Sequence, residues 1–416
     1  MDGRGCAGYR HANRGGEAAA ARARRNALDL LTNPADTLPA DPSATLVGRV
    51  HDPDEDGPSV VAVRGDALVD LSDTAPTVTD LLEHPDPAAV ARTARPRGTW
   101  SLQQVLDNTL NGSPGPALLP PADLQVIKAA GVTFVNSMLE RVIEERAAGD
   151  ASRSTLIRTQ VEQAVGRTLD SLVPGSEQAR AVKASMVRDG LWSQYLEVGL
   201  GPDPEIFTKA PVLSAVGHGA EVGIAEGSEW NNPEPEVVLA LRADGGIVGA
   251  TLGNDVNLRD VEGRSALLLP KAKDNNASAA LGPFLRLFDD RFDLDTVRRL
   301  DVRLEVLGED GFRLDGFSSM REISRDPLDL ARAAVGRHHQ YPDGLVLYTG
   351  TLFAPTEDRG EPGQGFTHRL GDVVRISSRE LGALANRVNH SEKCPEWTDG
   401  VRGIMRNLAR RGLLQH

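Results

Sequence analysis

Apolar and polar positions alternate with a period of two from Ala44 to Leu71, in the runs TLVGRV, PSVVAVRG and ALVDL, each closed by turn residues. Such alternation sends successive side chains to opposite faces of a strand, so this stretch predicts a small β-rich module. Asp73 to Leu82 reads as a capped helix start, and Gly112 to Pro121, dense in Pro, Gly and Ser, as a linker. From Asn136 to Glu197 the spacing becomes helical, with apolar residues three and four apart in SMLERVIEERA and ARAVKASMVRDGLW. After Gly201 short β-branched runs return: EVVLAL, GIVGATLG, DVRLEVLG, GLVLYTG and DVVRISS, broken by Gly, Pro, Asn and Asp, with one helix predicted near Asp326 to Val335. The pattern predicts an α+β protein. An N-terminal β-rich module covers residues 42–125, and a mostly antiparallel β domain covers 126–416 with a helical insertion at about 137–197.

Composition changes this picture only at its edges. A chain of 416 residues can bury one large core and a smaller accessory one. A net charge of -13 argues against a nucleic-acid partner, which needs a basic face, but a metal ion and a lysine or two can still reverse the sign locally for an anionic ligand. No apolar run approaches the roughly 20 residues of a membrane span. Cys6 and Cys394 stand near opposite ends of the chain without partners at metal-ligand spacing, which suits a reduced, cytoplasmic protein. The Arg-, Gly- and Ala-rich start lacks the apolar core of a signal peptide, and residues 1–41 are expected to form a disordered extension.

The segment WNNPEPEVVLALRADGGIVGATLGNDV, Trp230 to Val256, carries the most chemistry. Ala243-Asp244-Gly245-Gly246 suits a hairpin turn, because glycine tolerates positive φ. A hairpin symmetric about Asp244 and Gly245 sets Glu234 opposite Asp255 and Glu236 opposite Gly253. Glu234 and Glu236, two apart, share one face of the strand. Carboxylates gathered in this way repel unless a cation sits between them, and all-oxygen ligation selects a hard ion, Mg²⁺ first, with Mn²⁺ or Ca²⁺ as alternatives. The same residues also read as three solvated carboxylates at a hairpin end, and a register slip of one residue reverses the facing.

These residues also carry a resemblance. Ala130 to Val388 resembles the fumarylacetoacetate hydrolase family, and within it the sugar-acid branch. The shared landmarks run in family order: PEPE at Pro233–Glu236, NDVNLRD at Asn254–Asp260, and LPKAKDNNASAALGP ending at Pro283. SSMREI at Ser318–Ile323, LYTGT at Leu347–Thr351 and LGDVVRI at Leu370–Ile376 follow. The resemblance implies a catalytic domain of β-roll type and a divalent ion on Glu234, Glu236 and Asp255. It implies as well a homodimer or homotetramer, and a 2-keto-3-deoxy sugar acid as small-molecule substrate.

Hydrolytic members of the family place a histidine where Ser137 stands here, to activate the attacking water. Its absence disfavours hydrolysis and suits elimination of water, which needs no such base. Ser137 and Glu140 also form S-x-x-E, a capping box for the helix MLERVIEERAA. By the resemblance, Glu205 in GPDPEIFTK and Lys273 in KAKDNN align with catalytic groups, Lys271 being the near competitor. Ser137 and Thr351 align with substrate contacts. The implied reaction is a Mg²⁺-dependent dehydration of 2-keto-3-deoxy-D-xylonate or D-arabinonate to 2,5-dioxopentanoate, in pentose catabolism. The alternatives are a C–C hydrolase acting on a 2,4-diketo acid and a non-catalytic metal-binding member. His218, in the glycine-rich GHGAEVG, reads as a bend near the site and a candidate substrate neighbour.

Overall fold

The alternating run near the N-terminus forms β1 (Leu46–Asp52), β2 (Gly57–Arg64) and β3 (Ala67–Asp70), followed by the short β4 (Thr99–Ser101) and β5 (Ala117–Leu119). The computed structural model describes residues 37–414, except 149, 151, 155, 159–171, 189–192, 352–356 and 360–364. Most of the expected extension lies outside the described residues. Its last part, residues 37–41, is packed rather than disordered: Ala383 N–H donates to Thr37 O at 3.2 Å, and Asp41 pairs with Arg286 at 3.1 Å.

The remaining strands are β6 (Val126–Gly131), β7 (Glu205–Ala210), β8 (Glu221–Ile224), β9 (Asn231–Asn232), β10 (Pro235–Leu241) and β11 (Ile247–Asp255). They continue as β12 (Asn257–Leu258), β13 (Ala279–Leu287), β14 (Asp301–Leu307), β15 (Arg313–Ser319), β16 (Leu345–Tyr348), β17 (Val373–Ser378) and β18 (Gly382–His390). One 11-stranded sheet runs β4-β3-β2-β1-β13-β11-β10-β16-β6-β7, with β5 on β1; a 5-stranded sheet runs β15-β14-β17-β18-β8. Pairing is antiparallel except for β6 with β16 and β8 with β18. The N-terminal strands are hydrogen-bonded directly onto β13, so they extend the large sheet. Part of the expected linker is strand. β13 pairs with β1 only at Leu46 and Val47, and β5 takes the free edge from Arg49 to His51, where backbone groups would otherwise lack partners.

The main core lies between the sheets, where Val237, Leu239 and Leu252 meet Val302, Leu304 and Ile376. Every residue of β10 is buried, because its other face is covered too: Val238 packs with Tyr348 and Ala129. β15, by contrast, alternates exposed and buried residues, with one face in water. Helices at Val135–Ala147, Glu177–Arg188 and Gln194–Leu200 supply the expected helical segment and share a separate apolar cluster around Met138, Ile143, Met186 and Leu196. The N-terminal helix is shorter than predicted, Val78–Leu82, because Thr77 caps it and closes a capping box with Asp80 in its first turn. The helix predicted near Asp326 to Val335 spans Pro327–Ala334. No helix among the described residues is long and apolar enough to cross a membrane.

Candidate active site

The hairpin register places the acidic residues. Pro235 pairs with Asn254 and Glu236 with Gly253, as a turn symmetric about Asp244 and Gly245 requires; a bulge at Ala240/Leu241 absorbs the offset near the turn. Glu234, just before β10, is fixed through its backbone: its N–H donates to Asn254 Oδ1 at 3.1 Å, and its carbonyl accepts from Asp255 N–H at 3.0 Å. Glu234, Glu236 and Val238 share one face, away from the intersheet core and toward Tyr348. Gly253 has to be glycine here, since a Cβ would sit 2.4 Å from the Tyr348 ring.

One carboxylate oxygen from each of Glu234, Glu236 and Asp255 lies within 4.8 Å of the others, and all three residues are buried. Their environments differ. Lys273 Nζ lies 2.5 Å from Glu234 and 3.0 Å from Asp255, and Lys209 Nζ lies 2.8 Å from the other Asp255 oxygen. Arg141 pairs with Glu234, with Glu144 at 2.6 Å and with Glu262 at 2.8 Å. Glu236 instead accepts a backbone hydrogen bond, from Gly350 N–H at 2.6 Å. Burial, then repulsion from Asp255 and Glu234, pushes its carboxyl well above the usual range. Burial acts the same way on Asp255, but Lys209 and Lys273 outweigh it and hold that carboxyl low. Three carboxylate oxygens, one of them without a cationic partner, are a donor set that fits a hard divalent ion.

A cleft of about 330 Å³, open space included, surrounds this cluster, and Ser137, Glu205, Lys273 and Thr351 all line it. Glu205 begins β7 opposite Gly131 of β6, and a Cβ at Gly131 would lie 2.1 Å from its carboxylate; the glycine leaves room for the acid. Burial raises the Glu205 carboxyl, with Arg141 and Lys273 opposing. Lys273 ends the short helix Leu269–Lys273 and is buried, whereas Lys271 is exposed, which separates the two candidates. Carboxylates around Lys273 more than offset the cost of its burial and hold its ammonium charged.

Two sequence expectations change. The helix begins at Val135, so Ser137 is its third residue and not its cap: Ser137 Oγ accepts from Phe134 N–H at 3.3 Å, and Glu140 pairs with Arg158 and Arg259 instead of closing a box. His218 is absent from the cleft lining; it is buried elsewhere, where its Nδ1 accepts from Ala385 N–H at 3.0 Å. Sequence reasoning missed Arg141, Glu262 and Lys209. Arg141 stands four residues after Ser137, on the same helix face, a spacing that could have found it. Glu262 and Lys209 carried no local signal. A larger groove, about 1200 Å³ with open space included, runs between residues 73–80 and the helix Val401–Arg410, but Glu205, Glu234, Glu236, Asp255 and Lys273 all line the smaller cleft.

Two facing sheets carry a candidate metal site, the carboxylate triad at the end of a buried hairpin, and a family model described as "Fumarylacetoacetate (FAA) hydrolase C-terminal" matches residues 193–389. The chain belongs to the fumarylacetoacetate hydrolase family. It is 32% identical over 213 residues to a Haloferax volcanii protein described as "Probable 2-keto-3-deoxyxylonate dehydratase", covering 51% of this chain and 68% of that one. It is 31% identical over 190 residues to "2-dehydro-3-deoxy-D-arabinonate dehydratase" of Saccharolobus solfataricus, covering 46% of this chain and 60% of the relative's length. A solved structure of 2-keto-3-deoxy-D-arabinonate dehydratase complexed with magnesium and 2,5-dioxopentanoate superposes with a TM-score of 0.58 at 20% identity, over 83% of this chain and 99% of that one. The apo form of that enzyme gives 0.56, also at 20% identity and the same coverage. At this identity the structural likeness shows the shared fold.

Proposed function

We propose that this chain is a magnesium-dependent hydro-lyase that removes water from a 2-keto-3-deoxy sugar acid, the five-carbon acid giving 2,5-dioxopentanoate. The observation that carries the reading is the gathering of Glu205 and Lys273 into one buried cleft with Glu234, Glu236 and Asp255. The dehydratase names of the relatives, and the magnesium and 2,5-dioxopentanoate in a structural neighbour, support it. Magnesium, when held by the three carboxylates, would supply Lewis-acid polarisation of the substrate's 2-keto oxygen.

The chain's own residues supply the proton transfers. Glu205, its carboxyl raised by burial, takes a proton from C3. Lys273, kept charged by neighbouring carboxylates, delivers a proton to the C4 hydroxyl, which departs as water. The C3–H and C4–O bonds break and a C3=C4 double bond forms. Moving a proton from C5 to C3 then gives an enol whose tautomer is the C5 aldehyde. Ser137 and Thr351 line the same cleft, which supports a role for them as substrate contacts.

Incubation of the purified protein and Mg²⁺ with a panel of 2-keto-3-deoxy acids tests the reading by product mass. One product, lighter by a single water, is expected; two fragments would mark C–C hydrolysis. Glu205→Gln and Lys273→Met are expected to keep Mn²⁺ binding and to lose turnover by about 10²–10⁴-fold, the usual worth of a proton-transfer group. Near-normal turnover in both would remove the assignment.

A further inference from the structure

One buried group that the reaction above leaves unused is Lys209. Its side chain is completely enclosed, and its ammonium lies 2.8 Å from Asp255 Oδ1. It also donates to the carbonyls of Lys273 and of Val256, the latter at 3.1 Å, and approaches Ser278 Oγ at 3.4 Å. An enclosed ammonium costs several kcal/mol in desolvation unless its partners are well placed, so a chain that keeps one needs its geometry.

Three features of the fold explain what that geometry does. First, Glu205, Phe207 and Lys209 stand two apart on β7, and the ladder to β6 shifts at this point: Lys128 pairs with Thr208 and Ile127 with Ala210, leaving Lys209 as the extra residue of a bulge. Bulges re-aim a side chain, and this one turns Lys209 beneath the acidic cluster. Second, Lys273 ends the helix Leu269–Lys273, so its carbonyl belongs to the last turn, which lacks helical partners. The Lys209 ammonium binds that carbonyl, with Ser278 Oγ donating to it as well at 2.7 Å, a cationic cap on a helix C-terminus. Third, the same ammonium holds the Asp255 oxygen turned away from Lys273, whose Nζ takes the other one at 3.0 Å.

We propose that Lys209 is the positioning residue of this site, fixing with one buried ammonium both the rotamer of the Asp255 carboxylate and the helix end that carries Lys273. Because Lys209 shares β7 with Glu205, one strand sets the spacing among the candidate base, the candidate acid and one candidate ligand of the metal. The inference rests on the functional reading above for its kinetic half only.

The test compares wild-type full-length protein with Lys209→Met. Mn²⁺ affinity is read from the electron-paramagnetic-resonance signal of the free ion without substrate, and kcat and KM separately on 2-keto-3-deoxypentonate. Charge alone gives the opposite sign to positioning: deleting an ammonium beside Asp255 leaves the site more negative and tightens cation binding. Positioning predicts weaker binding, by about 10–100-fold, as when other outer-sphere partners are lost, and a fall in kcat larger than any rise in KM. Unchanged or tighter Mn²⁺ binding overturns the Asp255 half. Unchanged kcat overturns the Lys273 half. Should Lys209→Met not fold, Ser278→Ala removes the second hydrogen bond to the Lys273 carbonyl, with the contacts of Ser278 Oγ to Asn275 N–H and Lys209 Nζ, and does not touch Asp255. It is expected to lower kcat several-fold at unchanged Mn²⁺ affinity, and wild-type kcat would overturn the capping role. If wild-type protein dehydrates none of the acids, the functional reading fails while the Mn²⁺ comparison still decides the Asp255 half.

Discussion

Two charge networks in this molecule use similar residues to opposite effect. On the water-facing side of the small sheet, Arg303 and Arg313 bind Asp315 at 2.8 and 2.7 Å and reach Glu305 at 3.4 Å. In the large sheet, Glu234 and Asp255 meet Lys273, Lys209 and Arg141 at comparable distances, while Glu236 beside them meets none of the three. In the first network Asp315 is about half exposed, water screens each pair, and the Asp315 carboxyl settles at about 2, held down by Arg313 and Arg303. In the second nothing is screened, so the ion-paired Asp255 is held low while Glu236, with only a backbone donor, is pushed far up. Equal distances therefore carry different meaning: an exposed network tolerates its charges, and a buried one demands that each be answered.

A matched pair of substitutions puts this contrast at its sharpest. Asp255→Asn is expected to bring turnover to the assay floor, and chelation of wild-type protein to do the same, reversibly on adding Mg²⁺. Asp315→Asn makes the same chemical change at the surface and is expected to leave turnover within about two-fold, as surface substitutions away from special features usually do. Equal losses in the steady-state assay would erase the distinction between the two networks.

Burial without a counter-charge has its own signature at His218. Desolvation, then Arg375, depresses the imidazole from 6.5 to about 4. As pH falls through 6.5 the unfolded chain takes up a proton that the folded one refuses until about 4. Stability present above 6.5 is therefore lost across that window, by roughly 3 kcal/mol. Denaturant titrations between pH 7 and 4 are expected to show this loss in wild type and a shallower one in His218→Gln; parallel curves would refute it.

Glu236 offers a comparison of similar size. Mg²⁺ at a hundred times its Kd should stabilise wild type by about 2.7 kcal/mol. Glu236→Gln replaces a carboxyl whose ionisation burial and its acidic neighbours oppose, so without metal it should melt at or above wild type and gain little from Mg²⁺. Calorimetric scans with and without the ion decide, and a metal response equal to wild type would count against the triad. The smallest effect belongs to Asp315→Asn, under about 1 kcal/mol. Since folding lowers that carboxyl, its contribution is present above about 4 and disappears as pH falls through 2.

Much of this site was legible in one dimension because it is built on a hairpin. Period-two spacing set Glu234 and Glu236 on one face, and the turn residues fixed the register that brings in Asp255. Glu205, Lys273, Ser137 and Thr351 were reached through the resemblance, and their gathering into one cleft was visible only in the fold. Lys209 and Glu262 gave no signal, because the residues they serve lie far from them in sequence. Ser137 misled in detail, since S-x-x-E spacing cannot tell a cap from the third residue of a helix.

The sequence alone determined what short-range geometry controls: strand and helix periods, the hairpin and the facing of its acids; that these acids are buried, and so call for a cation, came from the fold. Tertiary structure decided everything that depends on water being excluded. It chose Lys273 over Lys271 by burying one of them. It removed His218 from the site and brought Lys209, through a bulge, beneath Asp255. The physical reason is that a pattern of residues fixes which groups are neighbours along an element, whereas the strength of their charges depends on the dielectric around them, and only the packed fold sets that.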